Sequence, residues 1–328
     1  MLNFHFKTNS YVIFSLLALM PAVPALHAQT YPTKAIRLIV PLAPGGGNDA
    51  MARLIAQKIS PALGQQVIAD NRPGAGGVIA AEMVARAPAD GYTLLLANVA
   101  VMTIIPNSQK SVPYEPLRDF APITLIASAP QLVVVHPSLP VKTLQDLIAL
   151  GKAKPNALNY ASNGVGSSTH LATEMFSMMA GVKMVHVPYK GLAIAMTDLL
   201  SGQVPLMFSS VVAMLPHVKN GRLRAIAMTG TQRSPVIADV PTVAEAGLKG
   251  YESGSWYGIA APAQTPRPIV ERLNREMVSA IKSRDIQDRL NSEAIIPSGN
   301  TPEEFAAHIR REHERMGRVI RAAKIVLD

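Results

Sequence analysis

Between Ile36 and Ala260 short β-branched runs alternate with stretches whose apolar residues recur at helical spacing. A chain patterned this way has one economical outcome, α/β layers in which helices cover largely parallel sheets. Strands are expected at Ile36–Val40, Gln66–Ala69, Tyr92–Ala97, Ile123–Ala127, Leu132–His136, Leu158–Ala161, Met184–Val187, Val204–Phe208, Leu223–Met228 and Trp256–Ala260. Met51, Leu54, Ile55, Ile59 and Leu63 keep helical spacing, as do Leu144, Leu147, Ile148 and Leu150. Further helices are expected over Pro266–Ser283, with Pro near its start, and Thr301–Val326, opened by the capping pair Thr301 and Glu304.

Ten strands overfill one comfortable sheet, and at roughly 150 residues per domain the 328 residues allow two lobes. Pro-rich junctions near Val112–Pro122 and Tyr251–Gln264 are the expected crossings between them. The division is then residues 29–129 with 251–328 as one lobe and 130–250 as a second lobe inserted into it. Two crossings make a hinge over a cleft, where α/β proteins commonly bind small molecules.

Residues 1–28 stand apart. Lys7 is their one charged residue, Tyr11–Met20 is apolar, and Leu26-His27-Ala28 ends on a small residue before Gln29. This is the pattern of a secretory signal peptide cleaved after about Ala28. The apolar run is half of the ~20 residues a membrane span needs. Absence of Cys excludes lipidation at that site, disulfides, thiolate metal sites and a thiol nucleophile. The formal charge of +9 raises the question of nucleic acid, but Lys and Arg are scattered singly and aromatics make up 5%, so no base-stacking groove is encoded. Arg310–Lys324, with Glu312 and Glu314 inside it, reads as the solvated face of a helix, and His308, Glu312 and His313 as an exposed cluster without metal spacing. No metal and no cofactor are expected.

Two loops have the composition of anion sites. Pro41–Asp49 follows the first strand and runs through Gly45, Gly46 and Gly47 into a helix; glycines let a ligand approach the backbone, and a helix start has unpaired amides. The alternative is a tight turn capped by Asn48 or Asp49. Asn159–His170 repeats the plan with Ser162, Asn163, Gly164, Gly166, Ser167, Ser168 and Thr169, a neutral donor-rich cradle or a Ser/Thr helix cap. The turn Asp70–Gly77 carries Arg72, read as structural beside its Pro-Gly pair. Catalytic signatures are thin: Gly-x-Ser-x-Gly and His-Glu-x-x-His are absent, and Ser167 with His170 has no evident third member. An exported hydrolase using Ser167 or Ser168 with His170 therefore stands only as an alternative.

The motifs Tyr31-Pro32, Ile36-Arg37-Leu38-Ile39-Val40-Pro41, Pro44-Gly45-Gly46-Gly47, Asn71-Arg72-Pro73-Gly74 and Asp90-Gly91-Tyr92-Thr93 come in order along the chain. Asp119-Phe120-Ala121-Pro122, Leu158-Asn159-Tyr160-Ala161-Ser162, His186-Val187-Pro188-Tyr189-Lys190-Gly191 and Asp239-Val240-Pro241-Thr242 follow. Together they resemble the exported solute receptors of tripartite tricarboxylate transporters, the Bug receptors. The resemblance implies a periplasmic, monomeric, two-lobed venus-flytrap binding protein of the type II-like class. It also implies a small organic carboxylate as ligand, membrane permease subunits as partners, and no catalysis. It carries the ligand site onto Ala43, Pro44, Gly45, Gly46, Gly47 and Asn48 of one loop and Ser162, Asn163, Gly164, Gly166, Ser167, Ser168 and Thr169 of the other, with Asn98, Lys190 and Ser209 nearby. A receptor that reports to a membrane signalling partner would share every one of these residues.

Two departures bear on the ligand. Family members commonly carry Phe-Asp-Asn where this chain has Phe208-Ser209-Ser210, and a Gly-Thr/His-rich stretch where it has Asn98-Val99-Ala100-Val101-Met102. The first removes a partner for a ligand ammonium, and the second supplies a less polar wall. A carboxylate without an amine, with an apolar or aromatic body, is the expected cargo.

Overall fold

The computed structural model describes residues 1–3 and 31–326, so the leader assigned to residues 1–28 lies almost wholly outside the described residues. Strands and helices alternate as the pattern requires. The first part of the chain gives β1 (Ile36–Val40), α1 (Gly47–Leu63), β2 (Val67–Asn71), α2 (Val78–Ala85), β3 (Thr93–Asn98), a π-helical turn over Ala100–Ile104, α3 (Ile105–Ser108) and β4 (Phe120–Ala129). The middle gives β5 (Gln131–Val135), α4 (Leu144–Ala153), β6 (Asn159–Ser162), α5 (Ser168–Ala180), β7 (Val185–Pro188), α6 (Leu192–Ser201), β8 (Leu206–Ser210), α7 (Val211–Lys219) and β9 (Arg224–Met228). The chain closes with β10 (Ser255–Pro262), α8 (Arg267–Ile281), α9 (Arg284–Ser292), β11 (Ile296–Pro297) and α10 (Pro302–Ala322).

These strands sort into two sheets. One has the order β11-β4-β10-β3-β1-β2 and the other β7-β6-β8-β5-β9. β1, β2 and β3 run parallel, and β10 joins them antiparallel. In the second sheet β6, β7 and β8 are parallel, while β5 runs against both β8 and β9. The inner strands are buried on both faces and read as unbroken aliphatic runs, such as Leu132–Val135 with 0% exposure, as strands covered by helices on two sides must.

The crossings fall elsewhere than at the first Pro-rich junction. Val112–Pro122 stays with the first sheet and leads into β4, and the chain passes to the second sheet through Pro130 alone, between Ala129 and Gln131. It returns between Met228 and Ser255. There the two crossings lie side by side: Gly254 has φ +145°, and a Cβ on it would sit 2.7 Å from the Ala129 carbonyl oxygen. Only glycine permits that approach. Gln131 donates its amide to Thr229 Oγ1 at 2.7 Å, and Thr229 donates its own to the Gln131 carbonyl at 2.9 Å.

α10 opens with the expected capping box of Thr301 and Glu304 and packs against β4 of the first sheet and α5 of the second. Its buried stripe is Phe305, Ile309, Glu312, Met316 and Ile320. Arg310, Arg311, Arg318 and Lys324 are exposed as the sequence predicts. His308, Glu312 and His313 are not: Glu312 falls on the stripe and pairs with Arg315 at 2.5 Å, His308 lies against Trp256 and Phe305, and His313 Nδ1 is 3.1 Å from the Met102 carbonyl. Burial pushes the Glu312 carboxyl above the usual carboxylate range.

Candidate functional site

Both candidate loops sit at the carboxyl ends of parallel strands, where the chain turns into a helix. α1 begins at Gly47, directly after the glycine run, with Gly46 as its N-cap and no side-chain cap. Among the described residues, the amides of Gly46, Gly47, Asn48 and Asp49 meet no acceptor, as the first turn of a helix requires. Neither Asn48 nor Asp49 caps the helix. Asp49 reaches back inside the loop, where its Oδ2 accepts from the Gly45 amide at 3.0 Å and its carboxylate pairs with Arg53. Those hydrogen bonds, from Arg53 first and Gly45 second, hold its carboxyl below the ordinary carboxylate range. The charge that would repel an anion is thereby spent behind the loop. Asn48 turns instead to Asn98, whose Nδ2 donates to its Oδ1 at 2.7 Å, while Asn98 Oδ1 accepts from the Val101 amide at 3.1 Å.

The second loop is tied to itself. Ser167 caps α5, accepting from the His170 amide, and its hydroxyl donates to the Gly164 carbonyl at 2.7 Å. Thr169 Oγ1 accepts from the Asn163 amide at 3.0 Å, and Ser162 Oγ from the Gly164 amide at 3.1 Å. Gly164 and Gly166 have φ of +127° and +73°, conformations that let the loop fold back on these partners. Gln131 Nε2 points at Ser168 Oγ, at 3.4 Å.

A cavity of about 200 Å³ brings the two loops together. Leu42 and Asn48 border it from the first loop, Gly166, Ser167 and Ser168 from the second, Asn98, Val99, Ala100 and Ile104 from the end of β3 and the π-helical turn, and Ser255, Trp256 and Tyr257 from β10. Tyr257 also closes in on the first loop: a Cβ on Gly47 would lie 2.8 Å from its hydroxyl oxygen. None of these lining residues carries a charge. What the cavity offers is neutral: amide and hydroxyl groups together with aliphatic and indole side chains.

The remaining expected residues do not line this cavity. Ala43, Pro44, Gly45, Gly46 and Gly47 are exposed between Leu42 and Asn48. Ser162, Asn163, Gly164 and Thr169 lie behind Ser167 and Ser168 and hold them in place. Lys190 is exposed beyond β7, and Ser209 is buried in β8 opposite Leu132. Arg72 binds Asp70 at 2.9 Å, the structural role read from its turn. Sequence reasoning missed Trp256 and Tyr257 as cavity residues, although the chain's one Trp stands directly after the return crossing, at the start of β10.

The hydrolase alternative finds no geometry. His170 Nδ1 accepts from the Gly166 amide at 3.1 Å, so it is not directed at Ser167 or Ser168. Ser162 does meet His186 Nε2 at 2.6 Å, but Ser162 has 0% exposure and no substrate can reach it. Among the described residues no group of His, Asp and Glu could hold a metal, and no helix is long and apolar enough to cross a membrane.

Comparison with known proteins locates this architecture. BugT of Bordetella pertussis is 37% identical over 297 residues, covering 90% of this chain and 91% of that protein. Among solved structures, R. palustris Rpa4515 with adipate superposes with a TM-score of 0.74 at 38% identity, covering 90% of this chain and 99% of the other. MatC from Rhodopseudomonas palustris with bound malate gives 0.70 at 32%, covering 88% and 100%. Residues 51–325 match the family described as the tripartite tricarboxylate transporter family receptor. With two sheets joined at a hinge and a cleft between them, the chain belongs to this family and has the two-lobed fold of its periplasmic solute-binding proteins.

Proposed function

We propose that the protein captures a small organic carboxylate between its lobes in the periplasm and delivers it to the membrane permease of a tripartite tricarboxylate transporter. The division behind this reading is a leader over residues 1–28, a first lobe of 29–129 with 251–328, and a second of 130–250. The observation that carries it is the meeting of the two loops at one uncharged cavity: Asn48, whose amide is among those left unpaired at the start of α1, and Ser168, whose hydroxyl proton is free at the start of α5. Fixed amide dipoles at helix starts stabilise an anion without a counter-charge, and a ligand held this way is released again when the lobes part. The relatives that hold adipate and malate support the same ligand class.

The apolar part of the lining narrows the class. Leu42, Val99, Ala100, Ile104 and Trp256 face the cavity, and no Asp or Glu lines it to receive an ammonium. Ser209, at the position where an acid was expected from the family pattern, is buried in its strand. The cargo is therefore a carboxylate with an apolar body and no amine.

Calorimetric titration of residues 29–328 with adipate, malate, a longer-chain dicarboxylate, an aromatic acid and aspartate tests this. The expected result is saturable binding of an amine-free acid at least about tenfold tighter than aspartate, a difference of about 1.4 kcal/mol. Tight aspartate binding with none of the amine-free acids would overturn it.

A further inference from the structure

Beneath the second loop lie two histidines that do not border the cavity. His186 stands on β7 beside Tyr160 of β6, and its ring stacks on that of His170 from α5, with centroids 3.8 Å apart and planes within 9°. Tyr160 continues the stack at 5.0 Å from His186. Each histidine holds a different part of the loop. His170 Nδ1 accepts from the Gly166 amide, so this nitrogen carries no proton and the ring's one N–H is on Nε2. Ser162 Oγ donates to the Gly164 carbonyl and accepts from the Gly164 amide, which leaves it one lone pair for an N–H from His186 Nε2. The first assignment makes the His170 ring neutral, and the second puts a proton on His186 Nε2.

The surroundings disfavour charge on either ring. Burial, and then the neighbouring His186, lower the pKa of His170 to about 4, and burial lowers that of His186. The ionisable groups facing the pair are few. Tyr160 donates its hydroxyl to Glu174, whose Oε1 is 4.0 Å from His170 Nε2. On α6, Asp198 is engaged by the hydroxyl of Tyr189, and Lys183 and Lys190 are exposed. A second proton on His170 has to enter at Nδ1, where it meets the Gly166 N–H head on.

We propose that His170 and His186 are positioning residues for ligand capture: as a neutral stacked pair they hold the loop after β6 in the shape that presents Ser167 and Ser168 to the cleft, and protonation of His170 releases it. The proposal rests on the carboxylate reading of that cleft. The sign of the pH effect follows from linkage. With a pKa near 6.5 when released and lower when held, His170 leaves the held loop fully stable above about pH 6.5, and that stability is lost progressively as pH falls toward about 4.

The test compares the wild type with His170→Asn, whose Oδ1 can take the Gly166 N–H without titrating, and His170→Gln, whose oxygen lies too far out. Adipate affinity is measured at about pH 7.5 and about pH 5. The ratio of wild type to His170→Asn at each pH cancels adipate's own titration. That ratio is expected to fall about tenfold on acidification, while His170→Gln binds about tenfold more weakly than wild type already at the higher pH. A ratio independent of pH, or a His170→Gln variant that binds as wild type, overturns the proposal. Imidazole nitrogen NMR of the wild type gives a second readout that needs no ligand. The expected result is His170 as the Nε2–H tautomer, with the Gly166 amide protected from exchange until that ring protonates. A proton on His170 Nδ1 at neutral pH, or exchange of Gly166 indifferent to His170, overturns it. If neither adipate nor any other amine-free acid of the calorimetric series binds, the carboxylate reading fails on its own and the NMR readout still decides the role of the pair.

Discussion

The two loops that face each other across the cleft occupy equivalent places in their sheets and are built in opposite ways. The first, after β1, makes few bonds to itself: Asp49 clasps Gly45, and four successive amides at the start of α1 remain unpaired among the described residues. The second, after β6, uses its own side chains to satisfy the amides of Asn163, Gly164 and Gly166, and rests on a stacked pair of histidines. The first is a donor set and the second a braced frame carrying hydroxyls. In the proposed function, pairing them lets the open loop adapt to a carboxylate while the braced one fixes where the ligand must lie. Glycine accordingly means different things in the two. In the first it leaves room, since a Cβ on Gly46 would meet nothing within 4 Å, whereas in the second Gly164 is required by its backbone, with φ +127° and the Tyr189 carbonyl oxygen 3.3 Å from where a Cβ would be.

Substitution of these two glycines by the same residue separates the roles. Gly164→Val is expected to cost about 3 kcal/mol of folding stability, because a β-branched side chain is forced into a conformation open essentially to glycine. Urea denaturation measures it, and a loss below about 1 kcal/mol means that the second loop is not a braced frame. Gly46→Val should leave stability within about 0.5 kcal/mol of wild type and yet weaken carboxylate binding about a hundredfold by standing in front of the free amides. Parallel calorimetry and denaturation check both halves, and normal binding removes the first loop from the site.

Two smaller effects sharpen the contrast. Asn98→Ala leaves Asn48 without its donor and the Val101 amide without its acceptor, and should weaken binding by about 1 kcal/mol through loss of order in the first loop and the π-helical turn. Leu42→Ser thins the apolar wall and should cost at most about 0.8 kcal/mol per methylene that the ligand rests on it. Its effect should therefore grow along a series of dicarboxylates of increasing length, whereas Asn98→Ala should affect all members equally. Titration of the series against both variants distinguishes them.

What the sequence disclosed follows from which physical signals are local. Every expected strand is present, because aliphatic runs bounded by turn residues are read within a few positions; β11, two residues long at a sheet edge, leaves no such run. α9 was missed because it buries only Ile286 and Leu290, too thin a stripe to register. The π-helical turn escaped because Val99–Ile105 is almost uniformly apolar and buried, so it has no period to read. The starts of both loop helices, at Gly47 and Ser168, are not legible, since Gly and Ser at a helix start carry no apolar periodicity. The two candidate loops were legible for the converse reason, their glycines and hydroxyls lying directly after strands. Trp256 and Tyr257 join them only through the return crossing, and Glu312 is inward only because it falls on the stripe of α10. Neither fact is local.

The most direct test is a crystal structure of residues 29–328 with the tightest-binding carboxylate from the calorimetric series. The account predicts carboxylate oxygens within hydrogen-bond reach of amides from Gly46 to Asp49 and of Ser167 or Ser168 at once, with the ligand's body against Val99 and Trp256. A carboxylate bound to one loop only, or held by a charged side chain elsewhere, would contradict it.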